Sequence, residues 1–221
     1  RMRRVIVIVD DRITSFINSM NKDDNEIISK IEKQAREEDV PIIRRETKEL
    51  IKVLILTKKP KHILEVGTAV GFSSIYMSEY IEEGSHITTI EKYEPRIIKA
   101  KENLQIAKKQ ERITLLEGDA LDILRELKGS YDMIFMDAAK GQYIHFLPDV
   151  LRLLSRDGVL ISDNVLQDGD VLESHFTVNK RNRTIHSRMR EYLYTLKNHP
   201  QLETAIVPIG DGLAISTKIG D

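Results

Sequence analysis

Tyr131-Asp132-Met133-Ile134-Phe135-Met136-Asp137-Ala138-Ala139-Lys140-Gly141 begins as a strongly apolar run and ends in charge. Tyr131 to Met136 has the composition of a strand buried on both faces, so Asp137 falls at that strand's carboxyl end. A helix length further on the pattern recurs, with Gly158 to Ile161 apolar and Ser162-Asp163-Asn164 behind it. In a doubly wound sheet, ligands gather outside the carboxyl ends of the strands, and two aspartates and an asparagine therefore converge where chemistry happens. Oxygen-only donors of this kind suit a hard divalent cation. Mg²⁺ is normally held by one or two carboxylates, with water or substrate completing its shell. Taken alone, Asp163-Asn164 reads better as a turn, because both residues tolerate loop conformations. Asp137 and Lys140 beside it favour the metal.

Outward from these clusters the chain alternates between strand and helix. From His62 the segments are His62 to Val66, Ser73 to Ile81, His86 to Ile90, Pro95 to Lys108, Ile113 to Leu116, Ala120 to Leu127, Tyr131 to Met136, Tyr143 to Leu154 and Val159 to Ser162. Five strands with helices between them predict an α/β fold, its mostly parallel sheet covered on both faces. After Asn164 come a polar insertion, Val165 to Asn179, a helix from about Thr184 to Leu196, and two strands, Glu203 to Pro208 and Leu213 to Thr217. Gly210-Asp211-Gly212 between the last two predicts a hairpin and hence an antiparallel edge on a seven-stranded sheet. Ahead of this core, residues 1–58 form a helical preface: Asp11 to Met20, Asp24 to Glu38 and Arg45 to Thr57 carry apolar residues at helical spacing. Asp23-Asp24 offers an N-cap and Pro41 forces a break before the third helix.

Ile63-Leu64-Glu65-Val66-Gly67-Thr68-Ala69-Val70-Gly71 runs from a buried strand into a helix through a turn with glycine at both ends, which allows close approach of a ligand. It lacks the three glycines that bring a pyrophosphate onto a helix N-terminus, so a phosphate-free nucleoside cofactor fits better. Glu91 ends the second strand, where an acidic side chain can bind ribose hydroxyls, and Asp119 ends the third, within reach of a base. Each has an ordinary alternative: Gly71 in packing, Glu91 as a solvated charge, Asp119 as cap of the helix from Ala120. Functional candidates at the ends of all five strands favour the joint reading.

Composition bounds the rest. With 221 residues, 41% of them hydrophobic, the chain can bury one sizeable core, and residues 1–221 are expected to form one domain. The absence of cysteine excludes disulfides, thiolate metal sites and a cysteine nucleophile, in keeping with a reducing compartment. No apolar stretch reaches membrane-spanning length, and Val5 to Val9 is too short for a signal-peptide core, so a cytoplasmic protein without a membrane partner is expected. A formal charge of −1 supplies no global field for nucleic acid. Local basic clusters remain: Lys180, Arg181, Arg183, His186, Arg188 and Arg190 in one, Lys58, Lys59 and Lys61 in another. They read as phosphate contacts or simply as solvated faces. Tyr143, Phe176, Tyr192 and Tyr194 are candidate base stackers, although helical spacing fits Tyr192 to a core as well.

The Glu65 to Gly71 turn, Glu91, Gly118-Asp119-Ala120, Asp137-Ala138-Ala139-Lys140 and Ser162-Asp163-Asn164 together resemble the cation-dependent O-methyltransferases that include the catechol and caffeoyl-CoA enzymes. The resemblance covers nearly the whole chain; Val5 to Val9 departs from the family's polar N-terminus. Val40-Pro41-Ile42, Asp137 to Tyr143 and Pro208 to Ser216 are most similar to the bacterial tRNA 5-hydroxyuridine methyltransferases within it. This resemblance implies a Rossmann-like class I methyltransferase core over 62–221. It implies S-adenosylmethionine held by the Ile42 backbone, Glu65, Gly67, Gly71, Ser73, Glu91, Asp119, Ala120 and Asp137. It further implies Mg²⁺ or another divalent cation on Asp137, Asp163 and Asn164, and a homodimer. The implied catalytic residues are Asp137 and Lys140, the latter matching the lysine that serves the catechol enzymes as general base. A neighbouring cation disfavours its ammonium form, although it could equally be a loop lysine that only touches substrate phosphate.

Methyl transfer to oxygen needs an acceptor that sheds its proton in line with the methyl, and a divalent ion serves by holding two adjacent oxygens and acidifying one. 5-Hydroxyuridine offers its 5-hydroxyl beside the 4-carbonyl, as catechol offers two hydroxyls. The expected activity is therefore conversion of 5-hydroxyuridine to 5-methoxyuridine at the tRNA wobble position, with the anticodon stem-loop as partner and Lys180, Arg181 and Arg183 as RNA contacts. A small-molecule catechol O-methyltransferase is the first alternative; a noncatalytic cofactor-sensing or RNA-binding module is a second, disfavoured by the intact triad and Lys140.

Overall fold

A computed structural model of the chain describes residues 8–220, so Val5 to Val7 of the N-terminal apolar run lie outside the described residues. Three helices come first, α1 (Asp11–Ser19), α2 (Glu26–Glu37) and α3 (Arg45–Lys58). The cap of α2 differs from the expected Asp23-Asp24. Asn25 caps it, accepting from the Ile28 N–H at 2.9 Å, while Asp24 is engaged in an ion pair with the buried Lys48 of α3. Glu32 of α2 also binds Arg45 at 2.9 Å, which fastens α2 to α3.

The remaining elements are β1 (His62–Val66), α4 (Phe72–Ser78), β2 (His86–Glu91), α5 (Glu94–Ile106), β3 (Ile113–Glu117), α6 (Ala120–Glu126), β4 (Tyr131–Met136), α7 (Tyr143–Leu153), β5 (Leu154–Ser162), α8 (Arg183–Asn198), β6 (Leu202–Val207) and β7 (Leu213–Lys218). They build a seven-stranded sheet in the order β3-β2-β1-β4-β5-β7-β6. Neighbours from β3 to β5 pair in parallel, whereas β7 runs antiparallel to both β5 and β6, as the hairpin signal predicted. The order reverses between β1 and β4, which opens a crevice at their carboxyl ends. This is the Rossmann-like arrangement expected from the sequence.

Alternation along the strands sorts the core into two layers. Ile63, Met133 and Phe135 face α2, α3 and α4, joining Ile28, Ile51, Ile55 and Ile75. Leu64, Val66, Ile134 and Met136 face the other way, onto Phe146 and Val150 of α7 and Met189, Tyr192 and Leu196 of α8. The helical preface thus completes one face of the sheet. At β5 the boundary differs from expectation, because the strand starts at Leu154, bulges, and resumes at Val159. Leu154 fits the apolar spacing of α7, yet its backbone is already extended, and the bulge needs the left-handed conformation of Asp157 (φ 59°).

Glu65 lies on the face of β1 that meets α4 and is fully buried, accepting hydrogen bonds from the Ser73 and Thr89 hydroxyls. Burial pushes its carboxyl up to about 7, against those hydrogen bonds, which favour the charged form. A carboxyl raised above its ordinary 4.5 favours the fold while protonated, so its contribution is complete below pH 4.5 and is lost as pH rises to about 7. Glu65→Gln should flatten the pH dependence across that window by up to about 3 kcal/mol, read from urea unfolding at several pH values. An equally steep dependence in the variant would assign it to other groups.

Candidate functional site

Asp137 and Asp163 each sit one residue past a strand end and extend the ladder: the Asp137 N–H donates to Val66 O at 3.0 Å and the Asp163 N–H to Met136 O at 2.9 Å. The sheet itself therefore fixes both carboxylates. Beneath them the buried Tyr143 hydroxyl lies 3.0 Å from Met136 O and 3.1 Å from Asp163 O, bracing β4 against β5. Tyr192 packs its ring against Tyr143, centroids 5.5 Å apart, and its hydroxyl meets Ser162 Oγ at 2.6 Å. Asn164 takes a left-handed backbone (φ 58°), donating its N–H to Asp163 Oδ1 at 2.7 Å and its side-chain amide to Asp137 Oδ1 at 3.2 Å.

Burial, and after it the charge of Asp137, pushes the Asp163 carboxyl up to about 7. Burial also raises Asp137, against the positive charges of Lys140 and Arg96 and the amide of Asn164. Two desolvated carboxylates and an amide form an oxygen-donor set that a hard divalent cation would neutralise. Among the described residues no three His, Cys, Asp or Glu side chains gather into a metal-binding group; beside the two carboxylates stands the Asn164 amide, which the family resemblance implies as the third donor.

These residues line one end of a cavity of about 570 Å³ that extends across the carboxyl ends of the strands to Gly67, Glu91, Asp119 and Ala120, with Ile42 on its wall. Gly67 has φ +108°, and a Cβ there would stand 2.2 Å from the Asp137 carbonyl oxygen, so only glycine permits this approach of β1 to β4. Glu91 is clamped by three backbone N–H groups, Ala69 at 2.9 Å, Lys92 at 2.9 Å and Tyr93 at 3.0 Å. Asp119 caps α6 through the Leu121 N–H at 2.9 Å while lining the cavity, so both readings of it hold together. That N–H, and then Lys92, hold its carboxyl below the usual range.

Three of the expected cofactor residues do not line this cavity. Glu65 and Ser73 bond to each other, and Gly71 packs against Ala100. Arg44, Lys92, Arg96, Gln142 and Phe146 do line it and were missed. Arg96 and Phe146 stand in the first turns of α5 and α7, and in a doubly wound sheet the turns that follow the strands face the crevice; that placement was the available signal.

The insertion after Asn164 contains a short 3₁₀ segment (Gln167–Leu172) and another, Lys180–Asn182, leads into α8. Most of the basic run binds main chain. Arg183 donates to Val178 O and Phe176 O, His186 lies 3.1 Å from Glu173 O, Arg188 donates to Gly141 O and Arg190 to Val171 O. Lys180 and Arg181 are exposed. The second cluster sits at the amino end of the sheet, away from the cavity, with Lys59 and Lys61 paired to Glu82. Tyr143 and Tyr192 are fully buried and cannot stack a base, whereas Phe176 is 83% exposed.

Residues 18–219 match the family described as O-methyltransferase. The catechol O-methyltransferase of Mycobacterium tuberculosis is 31% identical over 163 residues, covering 71% of each chain. A catechol O-methyltransferase of Niastella koreensis is 39% identical over 123 residues, 53% of this chain and 55% of that one. A crystal structure from Staphylococcus aureus, assigned as a caffeoyl-CoA O-methyltransferase, superposes with a TM-score of 0.83 at 34% identity, covering 94% of this chain and 98% of that one. With its paired carboxylates at a strand-end crevice and this match along nearly its whole length, the chain belongs to the O-methyltransferase family.

Proposed function

We propose that this protein transfers the methyl group of S-adenosylmethionine to one of two adjacent oxygens on its acceptor, with Mg²⁺ or a similar cation on Asp137, Asp163 and Asn164. The acceptor we assign is 5-hydroxyuridine at the wobble position of tRNA. One observation carries the chemistry: the half-buried Asp137 and the buried Asp163 end neighbouring strands at one end of a cavity whose other end carries Glu91 and Asp119. A divalent cation held by Asp137, Asp163 and Asn164 would supply Lewis acidity to the acceptor hydroxyl.

The protein's own groups do the rest. Glu91 arrives preorganised by three N–H bonds and retains lone pairs for the ribose hydroxyls. Asp119 is positioned to accept from a base. A half-turn of the Asn164 amide exchanges its oxygen for its nitrogen and completes the donor set. Lys140 Nζ takes the hydroxyl proton; the oxygen bonds to the methyl carbon and the C–S electron pair stays on sulfur.

Exposed Phe176, with exposed Lys180 and Arg181 on the chain segment that follows Asn164, supports the tRNA acceptor by offering a stacking face and two cations for phosphate. A second reading, a catechol-type small molecule, is favoured by the names of the relatives and by the engagement of most basic side chains with carbonyls. Replacing Lys180 and Arg181 by alanine, with Arg183 kept because it braces the insertion, separates the two. For tRNA, activity should fall and its salt dependence flatten by about one to two units of slope, with turnover of catechol unmoved. Wild-type turnover of catechol with none of hydroxylated tRNA would overturn the tRNA reading.

Asp163→Ala should reduce turnover on the order of 10³-fold, about 4 kcal/mol, with cofactor affinity by calorimetry nearly unchanged. Full activity of wild type in chelator would reject the cation. Glu91→Ala should do the opposite, weakening S-adenosylmethionine by about 1.5 to 3 kcal/mol through lost charge-assisted hydrogen bonds. Unchanged affinity would remove Glu91 from the site.

A further inference from the structure

Lys140 stands on a single 3₁₀ turn, Lys140–Gln142, between the end of β4 and the start of α7. The turn is held from outside by α8. Arg188 Nη1 donates to the Gly141 carbonyl at 3.1 Å, and the site of a Cβ on Gly141 would lie 3.6 Å from Ile185 and 3.8 Å from Arg188 Nη1. Ile185, Arg188 and Tyr192 recur at three and four residues, one face of the helix. The same face therefore touches the lysine turn through Arg188 and, through Tyr192, both Tyr143 and Ser162, the residue before Asp163.

We propose that Arg188 is a positioning residue for Lys140, fixing its turn through the Gly141 carbonyl, so that α8 sets the lysine and the β5 carboxylate in one frame. This rests on the reading of Lys140 as general base. A guanidinium on a carbonyl suits the task, since it is rigid, permanently charged and able to hold one oxygen from a distant element. Because α8 is also bound to the insertion through Arg183, His186 and Arg190, the insertion and the lysine turn share one support.

Hydrogen exchange read by mass spectrometry tests the contact without any acceptor. Arg188→Ala should speed exchange in a peptide covering 139–143 by about tenfold or more, leaving the β1 and β4 peptides and the melting temperature nearly unmoved. Arg188→Gln, which keeps an N–H donor, should restore most of the protection. Turnover of catechol and of hydroxylated tRNA, each with S-adenosylmethionine and Mg²⁺, reads the consequence. Arg188→Ala should lower kcat about tenfold with cofactor affinity unchanged, and add less than about twofold on a Lys140→Met background. Unaltered exchange at 139–143, exchange raised across the whole protein, or multiplicative losses in the double variant would overturn the proposal. If Lys140→Met alone keeps full kcat the base assignment fails, and exchange at 139–143 still decides whether Arg188 holds the turn.

Discussion

Two neighbouring, desolvated carboxylates at the ends of β4 and β5, Asp137 half-buried and Asp163 buried, constrain the carboxyl edge of this sheet. Removing one ionised carboxylate from water costs several kcal/mol even after relaxation, and a second one nearby adds repulsion. The usual escape, moving apart or out to solvent, is closed here: both residues continue the backbone ladder, and Tyr143 bridges the carbonyls of Met136 and Asp163 from below. What remains is to take up protons or to meet positive charge. Both carboxyls are pushed upward, and Lys140 and Arg96 oppose this at Asp137. Such a site is unfavourable for the fold alone, which marks it as a position kept for function.

The same constraint explains why neighbouring positions admit so few residues. Val66 O must reach the Asp137 N–H, which brings β1 so close to β4 that the next residue has no room for a side chain, and Gly67 stands there. Beyond it the turn presents the Ala69 N–H to Glu91, so the carboxylate at the far end of the cavity is held by the loop that the close approach creates. Both ends of the site thus share one backbone path.

Much of this was legible in the sequence because a parallel sheet converts position along the chain into position in space. Once the strands were recognised, Glu91, Asp119, Asp137 and Asp163 had to lie at one edge, and all four line the cavity. What failed to show depended on facing direction. The family resemblance implied Glu65 as a cofactor residue, yet side chains alternate, and it shares the face of Ile63, where Ser73 and Thr89 receive it. Tyr143 and Tyr192 looked like stacking candidates, but both are sealed under the carboxylates. Leu154 fitted both helix and strand spacing, and only the backbone decides between them. The basic run was visible as charge, with no sign that an irregular insertion would need those donors for its own carbonyls.

That last point bears on how an acceptor is chosen. The cation donors and the cofactor end of the cavity lie on the sheet and its first loops, and a catechol or a hydroxylated uridine would present the same pair of oxygens to them. Discrimination must then come from what surrounds the pair. Arg44, Gln142 and Phe146 line the cavity itself, while the insertion after Asn164 is fastened to α8 by Arg183, His186 and Arg190, with Phe176, Lys180 and Arg181 left facing outward. A guanidinium bound to a carbonyl keeps its charge, but that bond fixes its position, so it is less free to reach out to a phosphate. Contact with a polyanion would fall mainly on those exposed residues, and the braced arginines would contribute by keeping them in place.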